Sequence, residues 1–115
     1  MKEKPIHWRG SSLADICDAR IFTADAKKSA GYQLGLVQAG FEPDDWKPFD
    51  EVGSGTKEIR VNLNDGWFRV LYVAKFVEAI YVLHCFNKKT NQTSKQDKEI
   101  AMARYKAVIL ERNQK

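Results

Sequence analysis

The stretch from Glu58 to Val73 constrains the fold more than any other part of the sequence. Ile59, Val61 and Leu63 alternate with Glu58, Arg60 and Asn62, the period of a strand with one buried face. Asn64-Asp65-Gly66 supplies turn chemistry, and Trp67 to Val73 returns as a second strand. If Phe68, Val70 and Tyr72 continue the buried row, Arg60 and Arg69 emerge on one common face. A third strand is expected from Ala79 to Phe86, apolar on both rows as a central strand is, and it exits into His84-Cys85-Phe86-Asn87-Lys88-Lys89.

Around this sheet the sequence places helices. Ile6-His7-Trp8 reads as a short strand, after which Ser12 and Asp15 form a capping box for a first helix with Leu13, Ile16 and Cys17 facing one way. Thr23 caps a second helix whose Ala26, Ala30, Leu34 and Val37 share a face until Gly40 offers a left-handed stop. Gly31 and Gly35 interrupt it, each costing up to about 1 kcal/mol against alanine, so close packing on another element is expected there. Phe41 to Thr56, with its prolines, glycines and acidic residues, reads as an irregular loop and a poor RNA surface. Ser94 and Asp97 cap a last helix with an apolar stripe of Ile100, Ala103, Ala107 and Leu110. The expected product is one α+β domain over residues 1–115, a small antiparallel sheet packed by helices with one sheet face left open.

Composition narrows the class. With 43% hydrophobic and 30% charged residues the chain can bury a core and remain in solution. No apolar run approaches the roughly 20 residues that span a bilayer, and no cleavable leader is visible, so a cytoplasmic protein without a membrane partner is expected. Cys17 and Cys85 suggest neither a disulfide framework nor a zinc site but two buried thiols, and no cofactor is expected. The net charge of +4 is uneven: residues 84–115 hold eight Lys/Arg against three Asp/Glu. That basic third is either a solvated face or a surface for a polyanion.

Several side chains carry candidate chemistry. Arg60 and Arg69 offer forked donors to a phosphate, or else pair with Glu58 or a loop carboxylate. His84 has the side chain that ordinarily titrates nearest neutrality and serves as acid or base, or, on the row of Ile80 and Val82, is a structural histidine buried against a backbone partner. Lys88 and Lys89 stabilise transition-state charge, act as a base, or anchor phosphate; Lys95 and Lys98 add RNA contacts. Tyr72 and Phe86 stack on a base or pack in the core. His7 and Trp8 read as packing or partner contacts. No Ser/His/Asp triad, phosphate-binding glycine loop, HExxH helix or EF-hand loop is present.

Three segments together resemble a known family. Glu58-Ile59-Arg60-Val61, Phe68-Arg69-Val70-Leu71-Tyr72-Val73 and Val82 to Thr90 are similar in order and spacing to the HigB/RelE-like, phage-related toxins. The likeness extends through Trp8 to Ser12, Gly31-Tyr32, Gln38-Ala39-Gly40 and Glu99 to Tyr105. It departs where that family often has proline, at Thr93-Ser94 and between Arg20 and Ala24. The resemblance implies a RelE-like fold and a toxin that enters the ribosomal A site and cleaves messenger RNA without a metal, giving a 2′,3′-cyclic phosphate. It further implies a helix-turn-helix antitoxin as partner, and Arg60, Arg69, His84, Lys88 and Lys89 as the working set. A non-catalytic antitoxin- or RNA-binding module of the same fold is the alternative.

Overall fold

A computed structural model describes residues 3–114, so Met1, Lys2 and Lys115, the last counted in the basic third, lie outside it. The elements run β1 (Ile6–Trp8), α1 (Ser12–Cys17), α2 (Ala24–Gln38), β2 (Trp46–Pro48), β3 (Thr56–Leu63), β4 (Gly66–Val73), β5 (Ile80–Lys88) and α3 (Lys95–Asn113). They form an α+β domain around one five-stranded sheet, ordered β1-β5-β4-β3-β2. The sheet is mixed rather than purely antiparallel. β1 lies parallel to β5, with Ile6 opposite Ile80 and Trp8 opposite Val82, while the other pairings are antiparallel. A parallel neighbour needs a long crossover, and the whole of α1 to β4 provides it.

The β3–β4 hairpin closes through Asn64 and Asp65, with Leu63 opposite Gly66 and Arg60 opposite Arg69, so the two arginines do share a face. Both sheet faces carry a core. Against one, α1 and α2 bury Ile16, Ala26, Ala30, Leu34 and Val37 on Ile59, Val61, Phe68, Val70, Tyr72 and Val82. Against the other, α3 buries Ala101 and Val108 on Leu71, Val73, Tyr81 and Leu83. This second cover is partial: α3 lies over the Val73 end of β4 and leaves open the end that carries Arg69 and Trp67.

Capping decides the helix limits. Thr23 Oγ1 accepts from Ala26 N, and Ser94 Oγ from Asp97 N, as the sequence requires. Gly40, at φ 92°, lets Phe41 N reach Leu36 O and closes α2. At α1 the sequence reading is displaced by one residue. Ser11 is the cap and its hydroxyl donates to Asp15, whereas Ser12 is buried and donates to Val82 O, a tertiary bond that outcompetes the local one. Leu13 and Cys17 are exposed, so only Ile16 of the expected face is buried and only Cys85 is an enclosed thiol.

Three further expectations are corrected. A side chain added at Gly31 or Gly35 would meet nothing among the described residues, so neither glycine serves a close approach to a described element. The buried face of α3 is rotated by about one residue: Ala101 and Val108 are inside, and Ala103 and Leu110 face out. The segment from Phe41 to Thr56 is not wholly irregular, because Trp46–Pro48 adds the edge strand β2 to β3.

Candidate functional site

A β-bulge arranges the site. Between Leu71 opposite His84 and Tyr72 opposite Val82, β5 contains one extra residue, Leu83. The bulge takes His84 off the row of Ile80 and Val82 and onto the face covered by α3, so His84, Phe86 and Lys88 now share that face with Arg69 and Arg60. Cross-strand register then sets two rungs at the open end of the sheet: Phe86–Arg69–Arg60, and Lys88–Trp67–Asn62. Opposite partners stand about 5 Å apart at Cβ, close enough for one ligand to span them.

Beneath these rungs lies Glu58, 0% exposed, on the same face of β3. Arg69 Nε and Lys47 Nζ each stand 3.8 Å from its Oε1, and neither carboxylate oxygen accepts a hydrogen bond from a described residue. Arg69 is itself 4% exposed, and its Nη1 donates to Asn62 Oδ1 at 2.8 Å and Phe68 O at 2.9 Å. Burial lowers its pKa, against the charge of Glu58, and its guanidinium orientation is fixed before any ligand arrives. Arg60 is more accessible and faces Asp45 at 3.8 Å. The carboxylate pairings anticipated from sequence are therefore present, but they hold the arginines at a cleft instead of neutralising them on a flat surface.

That cleft, of about 240 Å³, is lined by Lys47, Arg60, Asn62, Trp67, Arg69, Lys88 and Asn91. Lys88 is 9% exposed, and its pKa is lowered by burial first and then by Arg69, Lys47 and Arg60, with Glu58 opposing. Four cations around one opening, with a single sealed carboxylate below, form a place for an anion with several oxygens. Among the described residues no group of three or more His, Cys, Asp and Glu converges as a metal would require.

His84 belongs to the floor of the adjoining region. Its Nε2 bonds Asp97 Oδ1 at 2.7 Å, and its ring stacks on Phe86 at 4.9 Å, tying the first turn of α3 to β5. Burial pushes the Asp97 carboxyl up, but the bonds from His84 and Ser94 outweigh it and hold it below the usual range. Phe86 is nearly enclosed, and Tyr72 is fully enclosed on the α2 side, where burial raises its phenol. Tyr72 thus has no ring face for a base, and the packing reading applies to it. Lys89 is exposed just beyond the end of β5 and lines a separate pocket with His84, Arg20 and Asp15. Lys98 pairs with Glu51 at 3.2 Å, and Lys95 lies in solvent near Glu99. His7 packs edge-on against Tyr81, and Trp8 against the α1–α2 core.

The site also uses residues not anticipated as functional. Lys47 arrives from the acidic segment set aside as a poor RNA surface, because β2 pairs it with Glu58. Trp67 and Asn91 complete the walls. The alternation of β4 could have shown Trp67 on the face of Arg69, whereas nothing local marks Asn91.

A family model described as phage-derived protein Gp49-like (DUF891) matches residues 19–106. The chain belongs to the Gp49-like family. Neither a curated protein nor a solved structure matches the chain significantly. The matched span of this Gp49-like chain includes β2 to β5 and every residue lining the cationic cleft. No helix among its described residues is long and apolar enough to cross a membrane.

Proposed function

We propose that this Gp49-like chain is the toxin of a toxin–antitoxin pair, a metal-independent endoribonuclease that cuts messenger RNA in the ribosomal A site. Its partner would be a helix-turn-helix antitoxin, and it would work in the cytoplasm. The observation that carries the reading is the convergence of Arg60, Arg69, Lys88 and Lys47 on one open cleft above buried Glu58. Membership of a phage-derived family and the HigB/RelE-like likeness of β3, β4 and β5 support it.

In this reading Arg60 and Arg69 hold the non-bridging oxygens of the scissile phosphate and favour the charge that builds there as the 2′-oxygen attacks. Lys88, as the free amine, takes the 2′-OH proton. The 2′-oxygen bonds to phosphorus, the bond to the 5′-oxygen breaks, and the Lys88 ammonium returns the proton to that leaving oxygen. The products are a 2′,3′-cyclic phosphate and a 5′-hydroxyl. Glu58 does not touch RNA; it keeps Arg69 charged and in place. His84 is a positioning residue in this scheme, because its ring is sealed between Phe86 and Asp97.

The test is induced expression of the wild type, Arg60→Ala and Lys88→Ala, with growth followed and messenger 5′ ends mapped. The expected result is growth arrest with new ends inside translated frames for the wild type, and loss of both in the variants. Folded wild type that leaves transcripts intact would refute the enzyme and favour a binding module. Arg60 is preferred to Arg69 for this purpose because it does not neutralise a fully buried carboxylate.

A further inference from the structure

Trp67 is outside the phosphate-holding set, yet it stands beside it. On β4 it is two residues from Arg69 on the same face, about 7 Å along the strand. Asn62 is opposite on β3 and Lys88 opposite on β5. Trp67 is 39% exposed, whereas Phe68, Tyr72 and Phe86 on β4 and β5 are enclosed.

The ring forms a wall shared by two clefts. One is the cationic cleft; the other, of about 260 Å³, is bounded on its far side by Asn64, Asp65, Asn87 and Lys89. Across Lys47, Lys88 and Asn91 the cationic cleft continues into a third, of about 490 Å³, that reaches Gln92 and Lys98 on one side and Asp50 and Glu51 on the other, with Glu51 paired to Lys98. Lys88 lines all three. The result is a row of three compartments with lysine at every junction.

We propose that Trp67 is a base-stacking wall, positioning the nucleotide next to the cleaved phosphate of an extended single strand of RNA that runs along this row. The proposal rests on the ribonuclease reading and adds to it the residue that sets where the strand lies. An exposed tryptophan also marks protein interfaces, but there it sits in an apolar, water-excluding ring. Here its neighbours in the two clefts are mostly amides and cations, among them Asn62, Asn87, Asn91, Lys88 and Lys89, with Asp65 at the hairpin turn the one carboxylate and Leu63 the one aliphatic side chain. That is the setting of a splayed base, which needs one π-face, hydrogen-bonding groups at its edge and positive charge for the flanking phosphates. Asn87 is tied to this edge of the sheet, since its Oδ1 accepts from the Trp67 backbone N at 3.2 Å.

The probe is a short single-stranded oligoribonucleotide carrying a 2′-deoxy sugar at the cutting position, so that it binds without being cut, and a twin with an abasic site beside it. Binding of both is measured to wild type, Trp67→Phe and Trp67→Ala. Trp67→Ala is expected to weaken binding of the full probe roughly 5- to 150-fold, the range of one stacked base, with Trp67→Phe in between. The abasic twin should bind wild type about as weakly, and Trp67→Ala should not weaken it further. Trp67→Ala within about twofold of wild type, an abasic penalty that survives in Trp67→Ala, or no binding by wild type would each overturn the proposal. Because the probe reports binding alone, a wild type that binds through Trp67 but cuts no transcript refutes the nuclease and leaves the stacking wall standing. Equal transcript cutting by wild type and Trp67→Ala, alongside equal probe binding, refutes the wall alone.

Discussion

Arg69→Met tests whether the buried carboxylate dictates the site. The substitution keeps an apolar stem but removes the guanidinium 3.8 Å from Glu58 Oε1. At that separation, with an effective dielectric near 20, one charge pair is worth about 4 kcal/mol. Glu58 is 0% exposed and accepts no hydrogen bond from a described residue, so water does not replace what is lost. Lys47, the other cation at 3.8 Å, has a side chain about half in solvent and is the weaker partner. A buried ion whose partner is removed typically costs about 3–5 kcal/mol, against a total stability of about 5–15 kcal/mol for a domain of this size. Arg69→Met should therefore lower the urea midpoint substantially without changing the slope of the transition. Adding Glu58→Gln removes the stranded charge, so the double variant should regain about 1–3 kcal/mol relative to Arg69→Met alone. The reasoning is refuted if Arg69→Met lies within about 1 kcal/mol of wild type, or if the double variant is no more stable than the single one.

Three other outcomes follow from particular contacts. Gly31→Ala and Gly35→Ala place a methyl in open space on α2 and should each stabilise the chain by about 0.4–1 kcal/mol, seen as a higher melting temperature; an unchanged or lower one would mean the helix is not the free surface described. Glu78 is held at about 2, below its ordinary 4.5, chiefly by its hydrogen bond from Arg112, so its contribution to stability is present above pH 4.5 and is lost as pH falls toward 2. Glu78→Gln should flatten the loss of stability in that window, and an acid titration parallel to wild type would contradict the assignment. Since burial lowers Lys88, the rate of RNA cutting should rise with pH and level off below the ordinary lysine value of 10.5, and a flat profile would exclude Lys88 as the proton carrier.

How much of this was legible in the sequence depended on whether a local rule governed the residue. The caps at Thr23 and Ser94, the stop at Gly40 and the shared face of Arg60 and Arg69 follow from chemistry within a few positions, and they are as expected. The register of β5 was not legible, because a bulge depends on both strands and moves His84 to the other face without altering any pattern in its own segment. Glu58 reads as a solvent-facing residue of an alternating strand, yet it is buried with Lys47 of β2 and Arg69 of β4 beside it, and a three-residue edge strand among prolines gives no periodic signal. Lys47 came into the cleft by the same route. Ser12 was assigned to a cap because the local hydroxyl–amide pairing is common, and tertiary burial against Val82 took precedence.

The position of β5 has a consequence for how the molecule is made. Its carbonyls are engaged by residues from far apart in the chain: Val82 O receives Arg9 N and Ser12 Oγ, and Leu83 O receives Arg104 Nη1. The same Arg104 reaches back over Gly10 to Ser11, and Arg9 pairs with Glu111. Synthesis delivers the earliest of these groups long before the strand they grip, and the latest only after it. A nascent chain that ends before Arg104 holds every cation of the cleft but only the first half of α3, without the arginine that grips Leu83 O, so the contacts that fix β5 are completed only by the last part of the chain to be made.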